Sequence, residues 1–168
     1  SPKSVEVFTK FYQEMCRRGY SKKPVLLGQS RGGLMMFSWA VRNPKRVGGF
    51  AGIYPVLNLR SWPMKRNLGP TLADFGMDQD AFSNVMEQHN PINHLAGLAQ
   101  AKVPIRIVHG DSDRVVPLEE NSAIVADRYR KLGGDAKVEV VPGKGHQVVD
   151  EFFKSAKLIQ FMLERSAR

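Results

Sequence analysis

The sequence lacks the features that define several classes of protein. It has one cysteine, Cys16, in 168 residues, which excludes an intramolecular disulfide and a zinc site built from cysteines. No uninterrupted apolar stretch approaches the roughly 18–20 residues that a membrane-spanning helix needs, so no membrane span is predicted. Apolar residues nevertheless make up 42% of the chain. This fraction is too high for a disordered protein, and the length is sufficient for a buried core.

Acidic side chains are scarce in the first 70 residues. This part carries thirteen Lys and Arg but only Glu6 and Glu14 as acids, a net charge of +11, whereas residues 71–168 carry twelve basic and fourteen acidic residues, a net charge of −2. Such a basic half could face solvent, an anionic ligand or an acidic protein surface. Because no RNA- or DNA-binding motif accompanies the charge, no nucleic-acid partner is expected.

The order of predicted strands and helices indicates an α/β fold. Short apolar runs predict four strands, at residues 24–27, 47–54, 104–108 and 137–141. Apolar residues at helical spacing predict helices at residues 3–19, 34–41, 78–88, 95–99, 117–132 and 149–164. Strands that alternate with helices favour a parallel sheet of about four strands with flanking helices. Residues 56–102 are the least regular part and are interpreted as an insert or cap-like segment.

A serine motif follows the first predicted strand. Gly28-Gln29-Ser30-Arg31-Gly32 fits the pattern G-x-S-x-G, in which glycines permit a strained strand-to-helix turn that exposes the serine hydroxyl. The backbone N–H of Arg31 would then point toward an oxyanion that develops beside the helix N-terminus. Active sites of open parallel sheets lie at this edge, so Ser30 is a candidate nucleophile.

Acidic and histidine side chains follow the third and fourth predicted strands. Asp113 is a candidate for the carboxylate that holds a catalytic histidine in one tautomer, whereas Asp111 is better interpreted as a cap of the next helix. His109 ends the third strand and is interpreted as structural. His146 lies in a glycine-rich turn after the fourth strand and follows the acid in the chain. Together with Ser30, these residues give the order Ser, Asp, His that is typical of this architecture.

With these motifs the chain resembles the α/β-hydrolase superfamily, and within it the dienelactone-hydrolase and prolyl-oligopeptidase-like branch. The matching segments are GQSRGG, NPINHLAGLAQAKVPIRIVHGDSDRVVP and PGKGH, and the resemblance extends over about residues 24–163. It implies Ser30 as nucleophile, Asp113 as orienting acid, His146 as general base and the Arg31 N–H as an oxyanion donor. The implied reaction is hydrolysis of a small-molecule carboxylic ester through an acyl-enzyme, with no metal ion and no cofactor.

The resemblance also implies that part of the fold lies outside these residues. In the superfamily the nucleophile strand is the fifth of eight, so residues 1–168 are expected to form a single partial domain, the C-terminal half of an α/β-hydrolase fold. The strand Val25–Leu27 would then be an open apolar edge, which soluble proteins avoid. A missing N-terminal half or another chain is the expected partner at this edge, and an acidic surface there would complement the basic residues 1–70.

The substrate remains open at this point. Tyr54, Trp62, Met64, Phe75 and Met77 could line an acyl or sugar pocket or could pack a small core of the insert, and Tyr54 and Trp62 are the candidate substrate-binding residues. An ester is favoured over a peptide because a peptidase of this branch usually carries an additional specificity domain. A prolyl-oligopeptidase-like serine peptidase and a non-catalytic binding protein on a hydrolase fold are the alternatives.

Overall fold

A four-stranded parallel sheet forms the centre of the computed structural model, which describes residues 1–166. Ala167 and Arg168, the last two residues of the expected domain, lie outside the described residues. The strands are β1 (Val25–Gln29), β2 (Gly49–Ile53), β3 (Ile105–Gly110) and β4 (Ala136–Val141). They lie side by side in chain order, and each neighbouring pair is parallel. The predicted α/β fold class is therefore confirmed.

Helices precede and connect the strands. They are α1 (Pro2–Arg17), α2 (Arg31–Arg42), α3 (Trp62–Arg66), α4 (Leu68–Phe75), α5 (Gln79–His89), α6 (Ala96–Gln100), α7 (Ile124–Lys131), α8 (Asp150–Phe153) and α9 (Ala156–Ser166). A π-helical turn, Glu119–Ala123, leads into α7. None of the helices within residues 1–166 is long and apolar enough to cross a lipid bilayer.

Two differences from the predicted helices have local causes. The predicted helix at 149–164 is divided into α8 and α9, because the Ser155 hydroxyl accepts the N–H of Leu158 at 3.2 Å and starts a new helix. The short helices α3 and α4 lie in a segment that was expected to be irregular. Gly69-Pro70 reads as a turn in the sequence, but the proline occupies the first turn of α4, where a missing N–H costs no intrahelical hydrogen bond.

Two apolar layers cover the faces of the sheet. Successive residues of β2 point to opposite faces: Phe50 packs with the cluster that holds Trp39 and Tyr129, whereas Ile53 packs with the cluster that holds Phe152 and Phe161. The first layer therefore contains α2 and α7, and the second contains α8 and α9. A third, smaller cluster lies within the insert, residues 56–102.

β1 is one of the two edge strands of the described sheet. Within residues 1–166 its backbone pairs only with β2, and Leu27 is 45% exposed. α1 packs on Trp39 of α2 through Phe8 and Tyr12, yet no residue of α1 is buried and Phe11 is 56% exposed. An apolar groove of about 500 Å³ lies between α1 and β1.

Candidate active site

Ser30 lies in the turn that joins β1 to α2. Its backbone has φ 47° and ψ −127°, in the left-handed half of conformational space that a residue with a side chain rarely adopts. Backbone hydrogen bonds hold this conformation: Ser30 N donates to Ile53 O at 3.0 Å, and Ser30 O accepts from Gly33 N at 2.9 Å and from Val56 N at 2.8 Å. The strained turn is thus fixed by β2 and the residues that follow it.

Close packing restricts the residues around this turn. A Cβ added to Gly33 would overlap the side chain of Pro55, and one added to Gly28 would come within 2.6 Å of the Gly33 Cα. A Cβ added to Gly32, by contrast, would meet no heavy atom of the described residues within 4 Å. Glycine is therefore required at positions 28 and 33, because α2 begins directly against β1 and Pro55 and leaves no space there for a side chain.

Ser30, His146 and Asp113 lie within hydrogen-bond distance in series. The Ser30 Oγ is 2.8 Å from His146 Nε2, and His146 Nδ1 is 2.7 Å from Asp113 Oδ2. An ionised carboxylate only accepts, so Nδ1 carries the proton and Nε2 is free to accept from the serine hydroxyl. This tautomer is the one in which a histidine can remove a proton from serine.

Asp113 is buried, with 5% of the residue exposed, and is held by several donors. Its Oδ1 accepts from Val115 N at 2.9 Å and from Val116 N at 2.8 Å, while Oδ2 faces His146. Burial alone would raise the pKa of Asp113. The neighbouring His109 imidazole and the hydrogen bonds from His146 and Val116 N outweigh burial and hold the pKa of this carboxyl well below its ordinary value. The carboxylate is consequently ionised throughout the neutral range.

Asp111 has a different place from the one expected. It was interpreted as a cap of the following helix, but its Oδ1 accepts from Gly143 N at 2.7 Å and from the Ser112 hydroxyl at 3.0 Å. A second contact joins the same two segments, since Ser112 N donates to Lys144 O at 3.1 Å. Asp111 therefore links the loop after β3 to the loop that carries His146.

Tyr54 was expected to line a substrate pocket, and its burial argues against that role. It is 1% exposed, and its ring centroid lies 4.4 Å from that of His146, on the side that packs against Phe152. Its hydroxyl accepts from Gln29 Nε2 at 2.9 Å. Burial raises the pKa of Tyr54, so the phenol stays neutral. Tyr54 supports the imidazole from within the protein instead of presenting its ring to a ligand.

The insert side chains divide between the two interpretations. Met64, Phe75 and Met77 pack around Phe82 and Met86 in the small cluster of the insert, so the core interpretation holds for them. Trp62 begins α3 and is partly exposed. The hydrogen bonds and ring contacts described above for Ser30, His146 and Asp113 do not involve Trp62, and its substrate-binding role stays a prediction.

Arg31 begins α2, directly after Ser30. The N–H groups in the first turn of a helix have no acceptor within the helix, and together with the helix dipole they favour a negative charge. The Arg31 N–H belongs to this first turn beside Ser30, and its role as an oxyanion donor stays a prediction.

Sequence reasoning missed two side chains that support the site. His109 was interpreted as structural, yet its Nε2 lies 3.4 Å from Asp113 Oδ2, and Ser122 contacts its other ring nitrogen. The only sequence signal was the four-residue spacing between His109 and Asp113. Ser122 gave no signal, because its contact depends on the π-helical turn.

A parallel α/β sheet with a serine at the turn between β1 and α2 is the α/β-hydrolase architecture. Over residues 3–164 the sequence matches the prolyl oligopeptidase family, and the chain belongs to this family. Among curated proteins it is 27% identical to a monoacylglycerol lipase of Mycolicibacterium smegmatis, with 76% of this chain and 56% of the relative covered. It is 28% identical to acyl-protein thioesterase 1 of Gibberella zeae, with 76% and 42% covered.

A solved structure described as a dipeptidyl aminopeptidase IV from Bacteroides ovatus has the same fold. Its TM-score is 0.75 at 17% identity, and the alignment covers 93% of this chain and 21% of that one. The chain spans about half the length of the curated relatives it matches. The family match and the shared fold confirm the predicted resemblance to the α/β-hydrolase superfamily and its prolyl-oligopeptidase-like branch.

Proposed function

We propose that this chain carries the catalytic residues of a serine hydrolase that cleaves carboxylic esters. The observation that supports this most strongly is the series of hydrogen bonds from Ser30 through His146 to Asp113, at 2.8 Å and 2.7 Å. Three side chains from three separate loops meet in the order and tautomer that acyl transfer requires. A non-catalytic binding protein would have no need of this arrangement.

In the proposed mechanism, His146 Nε2 takes the proton of Ser30 as Oγ attacks the ester carbonyl. The tetrahedral oxyanion is stabilised by the Arg31 N–H at the start of α2. The proton on His146 then passes to the leaving alcohol, and an acyl-enzyme on Ser30 remains. Water, deprotonated by the same imidazole, releases the acid. Asp113 stays ionised and stabilises the imidazolium in both steps.

An ester substrate is favoured by the names of the curated relatives, a lipase and a thioesterase. Both names describe the removal of an acyl group from oxygen or sulphur. A serine peptidase of the prolyl-oligopeptidase type is the second candidate, favoured by the family match and by the aminopeptidase among the solved structures. The two candidates share the mechanism and differ in the leaving group.

The test is covalent labelling followed by a substrate comparison, on the full-length protein. A fluorophosphonate probe is expected to modify Ser30, identified by peptide mapping, and the Ser30→Ala variant is expected to remain unlabelled. kcat/KM is then compared between p-nitrophenyl esters and peptide p-nitroanilides. A folded protein that resists the probe would contradict the hydrolase proposal, whereas labelling with faster anilide cleavage would contradict only the ester preference.

We also propose that a further strand, from outside residues 1–168 or from another chain, pairs with β1. The support is the free edge of β1, the 45% exposure of Leu27 and the apolar groove between α1 and β1. Amide hydrogen exchange in the full-length protein tests this. The N–H groups on the free side of β1 are expected to be protected, and exchange there at the rate of an exposed loop would contradict the proposal.

A further inference from the structure

A second histidine lies behind the carboxylate of the candidate site. His109 is the fifth residue of β3 and is fully buried, with 0% of its surface exposed. Its Nε2 is 2.9 Å from Val116 O and 3.4 Å from Asp113 Oδ2, and its Nδ1 is 2.7 Å from the Ser122 Oγ. The proposed mechanism assigns no part to this residue.

The contacts of His109 define its tautomer. Val116 O is a carbonyl oxygen and can only accept, so Nε2 carries a proton. The Ser122 hydroxyl then donates to Nδ1, which is the acceptor nitrogen of the neutral ring. This Nε2–H is donated to Val116 O, and the same nitrogen lies 3.4 Å from Asp113 Oδ2. Asp113 therefore lies between two imidazoles, with His146 on its outer side and His109 on its buried side.

Ser122 is placed by an irregular turn. In the π-helical segment Glu119–Ala123, Ala123 N donates to Leu118 O five residues earlier. Such turns are rare in proteins as a whole, and many of those that occur lie at functional sites. Asn121 and Ser122 are adjacent and both fully buried, yet they serve different segments. Asn121 Oδ1 accepts from Leu57 N at 3.0 Å, at the start of the insert, while Ser122 fixes His109.

We infer that His109 is a positioning residue for the reaction, acting through Asp113: its Nε2–H holds Val116 O beside the carboxylate and, 3.4 Å from Asp113 Oδ2, draws part of the negative charge away from His146. This inference rests on the proposed serine-hydrolase function. A carboxylate that shares its charge with a second donor stabilises the His146 imidazolium less. His109 thereby keeps His146 a weaker base than an undivided Asp113 carboxylate would make it. Against the effect of burial, the same neighbouring imidazole contributes to the lowered pKa of Asp113.

The charged groups around His146 determine how a change in its pKa is interpreted. Asp113 is the ionised group in contact, Ser30 and Tyr54 are neutral, and Lys144 on the same loop is paired with Glu151 at 2.7 Å. A change in the pKa of His146 after a substitution at His109 must then be transmitted through Asp113.

Two matched variants separate positioning from packing. In His109→Gln the side-chain amide nitrogen reaches the place of Nε2 and keeps the donor to Val116 O and Asp113. In His109→Asn the shorter amide keeps a partner for Ser122 but loses that donor. Both variants remove the ring, and asparagine is one methylene smaller than glutamine, so urea denaturation measures the packing loss of each variant separately from the pKa of His146.

The experiment follows the imidazole nitrogens by ¹⁵N NMR in the full-length protein, together with the pH dependence of kcat/KM on a p-nitrophenyl ester. In His109→Asn the pKa of His146 is expected to rise by about 0.5–1 unit, and the acidic limb of the kcat/KM profile is expected to move to higher pH by the same amount. His109→Gln is expected to keep the wild-type pKa. Wild-type His109 is expected to give the signals of the Nε2–H tautomer.

Equal pKa values of His146 in wild type and His109→Asn would overturn the inference, as would an Nδ1–H or doubly protonated His109 in the wild type. The NMR measurement needs no turnover, so it is independent of the substrate. Failure of Ser30 to react with the fluorophosphonate probe would instead count against the proposed function. If His109→Asn does not fold, Ser122→Ala replaces it: loss of the hydroxyl that holds Nδ1 is expected to shift the pKa of His146 in the same direction, and an unchanged value would overturn the inference.

Discussion

The turn that carries Ser30 and the loops that carry Asp113 and His146 are held by different interactions. Around Ser30 the chain is fixed by backbone hydrogen bonds and by the absence of side chains at Gly28 and Gly33. Around Asp113 and His146 it is fixed by side chains that accept or donate across the gap between two loops. The first arrangement depends mainly on sterics and the second mainly on hydrogen bonds, although a Cβ added to Gly110 at the end of β3 would also overlap Lys144 O.

The two regions are therefore expected to respond differently to substitution. A sterically fixed turn has one conformation, and a single added methyl group disrupts it. Loops that are joined by hydrogen bonds between side chains respond in addition to the loss of a donor or acceptor. The nucleophile is therefore expected to be sensitive to size, and the acid and the base to be sensitive to polarity.

The largest effect is expected at Asp113, where polarity changes without a change in size. Asp113→Asn replaces a carboxylate oxygen with an amide donor, which cannot accept the Nδ1–H of His146 and favours the wrong tautomer. We expect kcat for ester hydrolysis to fall about 10⁴-fold. Steady-state kinetics at neutral pH on the full-length protein measures this.

Asp111→Asn is the matched control for that variant. Asp111 lies two residues earlier in the same loop, and an asparagine there keeps an oxygen for the Gly143 N–H. Its kcat is expected to remain within about tenfold of wild type. Equal losses in both variants would mean that the loop as a whole, and not the Asp113 carboxylate, supports His146.

An intermediate effect is expected at the glycines beside Ser30. Gly33→Ala introduces a methyl group against Pro55 and is expected to lower the free energy of unfolding by about 1–3 kcal/mol and to abolish labelling of Ser30. Gly32→Ala adds the same methyl group one residue earlier, where it meets no described atom within 4 Å. Urea denaturation is expected to give Gly32→Ala a stability within about 1 kcal/mol of wild type.

A Gly33→Ala protein with normal stability and normal labelling would contradict the steric account of this turn. An equal loss of stability in Gly32→Ala would also contradict the steric account, because the loss would then not depend on contact with Pro55.

The sterically fixed region is also the one that sequence patterns describe best. The glycines near Ser30 belong to one short segment, and an apolar run before them predicts β1 and its parallel sheet. Asp113 and His146 were named from their order in the chain and their position after strands, and the structure brings them together with Ser30. For Ser30 the local glycine pattern was sufficient, and for Asp113 and His146 the order of the motifs along the chain was sufficient.

Sequence patterns fail where a contact between distant segments is made by residues that no motif marks. The link from Asp111 to Gly143 spans 32 residues, and the contact between Tyr54 and His146 joins the end of β2 to a loop after β4. The helices α3 and α4 carry weak local signals and are stabilised by packing onto Phe82. The role of His109 depends on the π-helical turn that places Ser122.

The smallest effect is expected at the link between the two hydrogen-bonded loops. Asp111→Ala removes the acceptor of the Gly143 N–H, and one lost hydrogen bond is expected to speed exchange of that amide about 2- to 12-fold and to lower kcat by a similar factor. Ser112→Ala removes the other donor to the same oxygen but leaves Gly143 bonded, so its Gly143 exchange is expected to equal that of wild type. Hydrogen exchange followed by NMR measures both variants. Unchanged exchange of Gly143 in Asp111→Ala would mean that the contact between Ser112 N and Lys144 O is sufficient to hold the loops, and polarity would then matter only at Asp113.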